Sequence, residues 1–275
     1  MNADPGSPMT TQIFGLDAFA PREIAARVAD VGVAKARLPL LTQALLGVLA
    51  GAFIGLGALM FTLVASDKSL GFAAMRLVGG LAFSLGLVLV SVAGAELFTG
   101  NNLLAMAWAS RRISTFEVMR NWAIVCTANF VGAAGLALLV AWSGHAQMNG
   151  GGIGRTAVEI ATAKASLDAP TAFVRGVLCN VLVCMAVWMA MAGRSVVDKV
   201  VAIVFPITAF VAAGFEHSIA NMYFFPLAVA LGAPLTLGDM AANLAAVITG
   251  NLVGGSVLVA LVYWVIYLRP GAETG

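Results

Sequence analysis

The chain has 275 residues, of which 61% are apolar and only 10% charged, and its mean hydropathy is +0.96. Soluble domains carry about 45–50% apolar and about 25% charged residues, so this composition excludes a water-soluble fold and makes the chain an integral membrane protein. A net charge of +2 gives no argument for a nucleic-acid partner, and three cysteines inside apolar runs (Cys126, Cys179 and Cys184) predict buried free thiols rather than disulfides.

In chain order, residues 1–16 lack a basic stretch followed by an apolar one, so no cleavable leader is predicted. Residues 17–37 predict a surface helix: Pro21 suits a first turn, and Ile24, Val28 and Val31 recur at near-helical spacing among Arg22, Glu23, Arg27 and Asp30. This helix is expected to be an interfacial anchor, with a gate over a pore mouth as the alternative.

A spanning helix needs roughly 20 apolar residues. Six candidates follow, at 38–66, 77–110, 121–142, 176–193, 200–231 and 240–268. Spans two and five carry polar breaks, at Glu96 and at Glu216-His217, where the bilayer middle should be. The organisation predicted is a segment 1–37, a six-span unit 38–268 and a tail 269–275. Lys and Arg between spans divide ten against five, which places both termini in the cytoplasm. Trp108, Trp122, Trp142, Trp188 and Trp264 fall near span ends, where an interfacial belt is expected.

The halves repeat. Gly94, Glu96 and Asn101 recur as Gly214, Glu216 and Asn221 at a shift of 120, and Asn129 with Gly132 recurs as Asn251 with Gly254 at a shift of 122. Gly47-Val-Leu49 likewise recurs as Gly176-Val-Leu178. Three spans per half is an odd number, so the halves insert with opposite orientation. Inverted repeats with matching broken helices point to a solute pathway at the midplane. Irregular backbone survives there only inside protein or along a polar cavity, and half-helix N-termini suit an anion. The sequence contains no nucleotide fingerprint, no metal-ligand spacing and no nucleophile beside a base, so neither an enzyme nor a cofactor is expected.

Five stretches carry a resemblance: Gly79 to Leu87, Ala95 to Thr99, Asn180 to Trp188, Gly193 to Lys199, and Gly214-Phe-Glu-His-Ser-Ile-Ala-Asn-Met222. On these residues the chain resembles the formate/nitrite transporter family, and within it the bacterial formate-channel branch, over nearly its whole length. The resemblance implies an all-α, aquaporin-like fold of two inverted three-helix repeats with helices two and five interrupted. It also implies a homopentamer in a bacterial inner membrane, with one pore per protomer. His217 resembles the pore histidine, and Thr99 the residue facing it from the other loop. Phe83 and Phe210 resemble an outer apolar constriction, and Leu87 and Leu97 an inner one. Asn180 and Asn251 resemble polar pore-lining groups, and Lys164 the basic residue that draws anions to the outer mouth. The implied function is proton-assisted passage of a small monovalent anion, formate first, with nitrite, hydrosulfide or a short carboxylate as alternatives and a neutral-solute channel as the competing class. Departures are Gly100-Asn101-Asn102, a form found in the nitrite and hydrosulfide branches, and a short connection at 231–239.

From the residues themselves, His217 is an ionisable group at membrane depth and therefore functional by default. His145, beside Gly144 in a Gly-rich stretch, is expected to be a loop residue. Glu96 and Glu216 each precede the point where a helix resumes, and are expected to scaffold the breaks by accepting backbone N–H groups. Lys164 alone reads as a solvated loop lysine. Gly51, Gly55 and Gly57 are expected to permit close helix packing.

Overall fold

The structure is a computed structural model that describes residues 18–270. The parts of the terminal segments at 1–17 and 271–275 lie outside the described residues. The helices are α1 (Pro21–Ala36), α2 (Leu40–Ala65), α3 (Phe72–Phe83), α4 (Leu85–Ala93), α5 (Leu104–Ala109), α6 (Thr115–Trp142) and α7 (Gly152–Ala165). They continue with α8 (Ala169–Ala192), α9 (Val196–Ala213), α10 (Ser218–Ala230), α11 (Leu237–Leu252) and α12 (Val262–Tyr267). A π-helical stretch, Val253–Leu261, joins the last two. Six stretches are long and apolar enough to cross a membrane: α2, α3 with α4, α6, α8, α9, and α11 through α12.

Polar caps start the helices where the sequence needs them. Ser114 and Glu117 exchange bonds at the head of α6, Ser195 and Asp198 at α9, and Thr236 and Asp239 at α11. Asp168 caps α8 by accepting the Thr171 N–H at 2.9 Å. Span two begins earlier than expected, at Phe72, because Arg76 need not stay in water: its Nε donates to the Ala212 carbonyl at 2.8 Å.

The two halves are each built around one tight helix pair. α2 lies on α6 and α8 lies on α11, with backbones touching through glycine. A Cβ on Gly51 would fall on the Asn129 carbonyl, and one on Gly132 on that of Val48. Gly250 and Gly254 stand the same way against the Phe173 and Val177 carbonyls. Helices in lipid gain stability chiefly from such close packing. Gly51→Ala or Gly132→Ala is therefore expected to abolish the monodisperse peak in size-exclusion chromatography. Gly135→Ala, whose Cβ meets nothing within 4 Å, leaves that peak intact.

Three crossings separate α1 from α7, so they lie on opposite faces of the molecule, called here the α1 face and the α7 face. The Gly-rich stretch before α7 hides this helix in the sequence. Each of α1 and α7 precedes the first span of its half, so the repeat is one helix longer than the sequence indicates. The apolar stripe of α1 is not spent on lipid as an interfacial anchor. Ile24, Ala25, Val28 and Ala29 are buried against Leu103, Met106, Cys184 and Trp188. Trp142 and Trp108 are exposed at span ends as a belt requires, whereas Trp188 is buried and stacks on Tyr263.

Candidate functional site at the paired helix breaks

Both breaks open on a glycine in the left-handed region, Gly94 (φ 81°) and Gly214 (φ 76°), a conformation that costs other residues their Cβ clearance. The next N–H bonds back in the same way in each half, Ala95 to the Val90 carbonyl and Phe215 to that of Phe210. The Glu96 N–H then donates to the Leu46 carbonyl, and the Glu216 N–H to that of Arg175.

One asparagine clamps each break. Asn129 Oδ1 accepts the Phe98 N–H at 2.9 Å, and its Nδ2 donates to the Gly47 and Glu96 carbonyls. Asn251 Oδ1 accepts the Ser218 N–H at 3.0 Å, and its Nδ2 donates to the Gly176 and Glu216 carbonyls. Both Nδ2 hydrogens of Asn251 are therefore committed to backbone, so it holds the loop rather than offering a donor to a solute.

Among the described residues the Glu96 and Glu216 side chains accept no backbone N–H group, contrary to expectation. Glu96 pairs with Lys35 and Glu216 with Lys164, each at 2.8 Å, and each carboxylate also accepts an asparagine Nδ2 at 2.7 Å, from Asn101 and Asn221 respectively. Those amides reach on to Asn121 and Asn243, whose own Nδ2 groups donate to the Lys35 and Lys164 carbonyls. Lys164 is thus no solvated loop lysine: its side chain is 16% exposed and its ammonium is spent on Glu216. Lys35, Asn121 and Asn243 are the residues that sequence reasoning missed. The shift of 122 that pairs Asn129 with Asn251 also pairs Asn121 with Asn243.

Between the breaks, Thr99 Oγ1 lies 3.1 Å from His217 Nε2, with both side chains buried. His217 is the N-cap of α10, and its Nδ1 accepts the Ala220 N–H at 3.2 Å. An Nδ1 that accepts carries no proton, so this geometry assigns the Nε2–H tautomer, which donates to Thr99. Phe210 stacks on the imidazole at 5.8 Å and meets Phe83 edge-on at 5.7 Å, so the expected outer constriction residues do come together. On the other side of His217, buried Leu87 and Leu97 line a cavity of about 800 Å³ that opens beside α1, with Lys35, Glu96 and Lys199 also in its wall. Asn180 Nδ2 donates to the Asn102 side chain and the Asn251 carbonyl at 2.7 Å and reaches the Thr99 carbonyl at 3.2 Å. Its Oδ1 and the Ser218 hydroxyl are buried without a hydrogen-bond partner among the described residues. Cys184 Sγ donates to the Thr99 carbonyl at 3.4 Å, a free buried thiol as expected. His145 lies in a turn between α6 and α7.

A family model described as formate/nitrite transporter matches residues 22–265. The chain belongs to the formate/nitrite transporter family. It is 37% identical over 273 residues to the formate channel FocA of Escherichia coli (strain K12), covering 92% of this chain and 96% of that one. It is 38% identical to the uncharacterized transporter YrhG of Bacillus subtilis (strain 168), over 90% of this chain and 93% of the relative. Among solved structures, a chain described as an FNT family ion channel superposes with a TM-score of 0.82 at 32% identity, covering 88% of this chain and 98% of that one. A pentameric formate channel with formate bound gives 0.78 at 37% identity, over 84% and 98% of the two chains. The protein is accordingly a multi-pass anion channel of the formate/nitrite transporter family with its aquaporin-like fold, and not an enzyme.

Proposed function

We propose that this channel passes formate with the help of a proton that enters and leaves at His217. The observation that carries this reading is the Thr99–His217 contact, placed between two breaks and flanked by the Phe83–Phe210 and Leu87–Leu97 pairs. An anion crossing such apolar pairs bare loses hydration that they cannot replace. Neutralised, it crosses them cheaply. Charging the imidazole requires Nδ1 to take a proton and release the Ala220 N–H. The charged ring then gives its Nε2 proton to the carboxylate, and the neutral acid moves on past the leucines. Asn180 Oδ1 and the Ser218 hydroxyl, both without a partner among the described residues, can accept the O–H of that acid.

The ten-to-five division of Lys and Arg supports an assignment of the α1 face, with both termini, to the cytoplasmic side of a bacterial inner membrane. Likeness to a pentameric structure supports a homopentamer with one pathway per protomer. Gly100-Asn101-Asn102, the form carried by the nitrite and hydrosulfide branches, makes nitrite or hydrosulfide the second reading.

Light-scattering uptake into proteoliposomes tests the substrate, with formate, nitrite, hydrosulfide and glycerol presented separately. Formate is expected to enter fastest and glycerol at the rate of empty vesicles. Rapid nitrite or hydrosulfide flux with little formate moves the chain to the second reading, and rapid glycerol flux overturns the anion reading.

A further inference from the structure

The two mouths of the pathway differ in one respect that the inverted repeat makes visible. Leu46 and Arg175 are counterparts: each immediately precedes the matched glycine, Gly47 or Gly176, and each gives its carbonyl to the N–H of the break glutamate. Leu46 lines the cavity on the α1 face. The same position on the α7 face holds an exposed arginine.

A second arginine stands near it. α3 and α9 run antiparallel, with Ser84 reaching the Val204 carbonyl, Gly80 against Thr208, and Arg76 Nε on the Ala212 carbonyl. Arg76 precedes Phe83 by seven residues, which puts it on the same face of α3 about 10 Å further toward the α7 face. Its guanidinium also lies against Gly214, where the second break opens. Arg175 gives its carbonyl to the Glu216 N–H, two residues beyond Gly214, so both arginines stand at the second break.

Among the described residues neither guanidinium has an ion-pair partner. Asp168, one acid within reach of the Arg175 field, is committed to the Thr171 N–H, which holds its carboxyl below the usual carboxylate range, and it makes no ion pair with Arg175. Lys164, the other cation near this mouth, is neutralised by Glu216. The bland account of Arg76 is a cation capping the carbonyl end of α9. That account uses one of its five N–H donors and says nothing of Arg175.

We propose that Arg76 and Arg175 form a two-guanidinium station that holds a small free carboxylate or oxoanion at the α7-face mouth, ahead of the Phe83–Phe210 constriction. Guanidinium forks match the planar oxygens of such anions, and two cations at the mouth, with Arg76 partly buried and Arg175 exposed, raise their local concentration before the desolvating step. The station rests on the reading of the chain as an anion channel, and it makes Arg175, rather than Lys164, the free charge that recruits anions on this side.

The test is formate uptake against concentration in neutral phosphatidylcholine proteoliposomes, at low and high concentrations of an impermeant salt. Arg175 is the residue to change, because Arg76 also caps α9. Arg175→Gln is expected to raise the half-saturating formate concentration about 3–10-fold at low salt, with maximal rate within about twofold, and the difference is expected to shrink at high salt. Arg175→Glu is expected to shift it further and Arg175→Lys to restore most of it. An unchanged half-saturating concentration in both Arg175→Gln and Arg175→Glu overturns the station. A dependence on Arg175 that appears only with anionic lipid assigns the pair to phospholipid headgroups and overturns it as well. Absence of formate flux in the parent protein would count against the channel reading instead, so the two failures are distinguishable.

Discussion

His217→Asn removes the acid stimulation of formate uptake. The parent channel is expected to speed up as the donor side is acidified, because the imidazole must take a proton on Nδ1 before it can pass one from Nε2. An amide at this position keeps a hydrogen bond within reach of Thr99 but does not titrate. The acid-stimulated component is expected to fall at least tenfold, or about 1.4 kcal/mol of barrier. Stopped-flow uptake across a series of donor-side pH values measures it. A variant with the parent's pH profile and the parent's rate excludes His217 from proton transfer.

The second large effect concerns the lysine–glutamate pairs. Glu216 is 4% exposed and its partner Lys164 16%, so removing one leaves a desolvated charge uncompensated. Lys164→Met is expected to cost about 3–5 kcal/mol, in line with breaking buried pairs elsewhere. Lys164→Met combined with Glu216→Gln removes both charges, and the Gln carbonyl still accepts from Asn221. The double variant is expected to regain most of the loss, since neutral replacement of a buried pair is often close to isoenergetic. Thermal unfolding in detergent of both single variants and the double variant reads this coupling. A double variant destabilised by the sum of the two single changes would mean that the pair does not act as a unit.

Much of this architecture was legible in the sequence because the repeat preserves polar residues where the membrane penalises them. Gly94, Glu96 and Asn101 against Gly214, Glu216 and Asn221 located both breaks, and three spans per half gave the inversion. The partners of the glutamates were less legible for a physical reason. A lysine outside the spans counts toward topology whether or not its ammonium reaches water, so Lys35 was read as part of the surface helix and Lys164 as a loop charge. The connection from each lysine to its break also differs in length between the halves, which breaks the constant shift that aligned the rest. The helix α7 was masked by Gly150, Gly151 and Gly152, which deny the usual cap but supply the left-handed turn at Gly151 (φ 77°) from which the helix starts. Arg76 disguised the start of span two, because composition cannot show that a carbonyl of another helix awaits it. The apolar pairs Phe83–Phe210 and Leu87–Leu97 were placed only by resemblance, as an apolar residue within an apolar span carries no mark of its own.

Anion and proton are expected to cross together, and the most direct test is to count both. A pH-sensitive dye trapped in proteoliposomes, read alongside radiolabelled formate uptake with the membrane potential clamped, gives the ratio in one experiment. About one proton is expected to be carried inward per formate, with little dependence of flux on the imposed potential. Formate entry that leaves the internal pH unchanged and follows the membrane potential would contradict it, showing that the bare anion crosses the Phe and Leu constrictions.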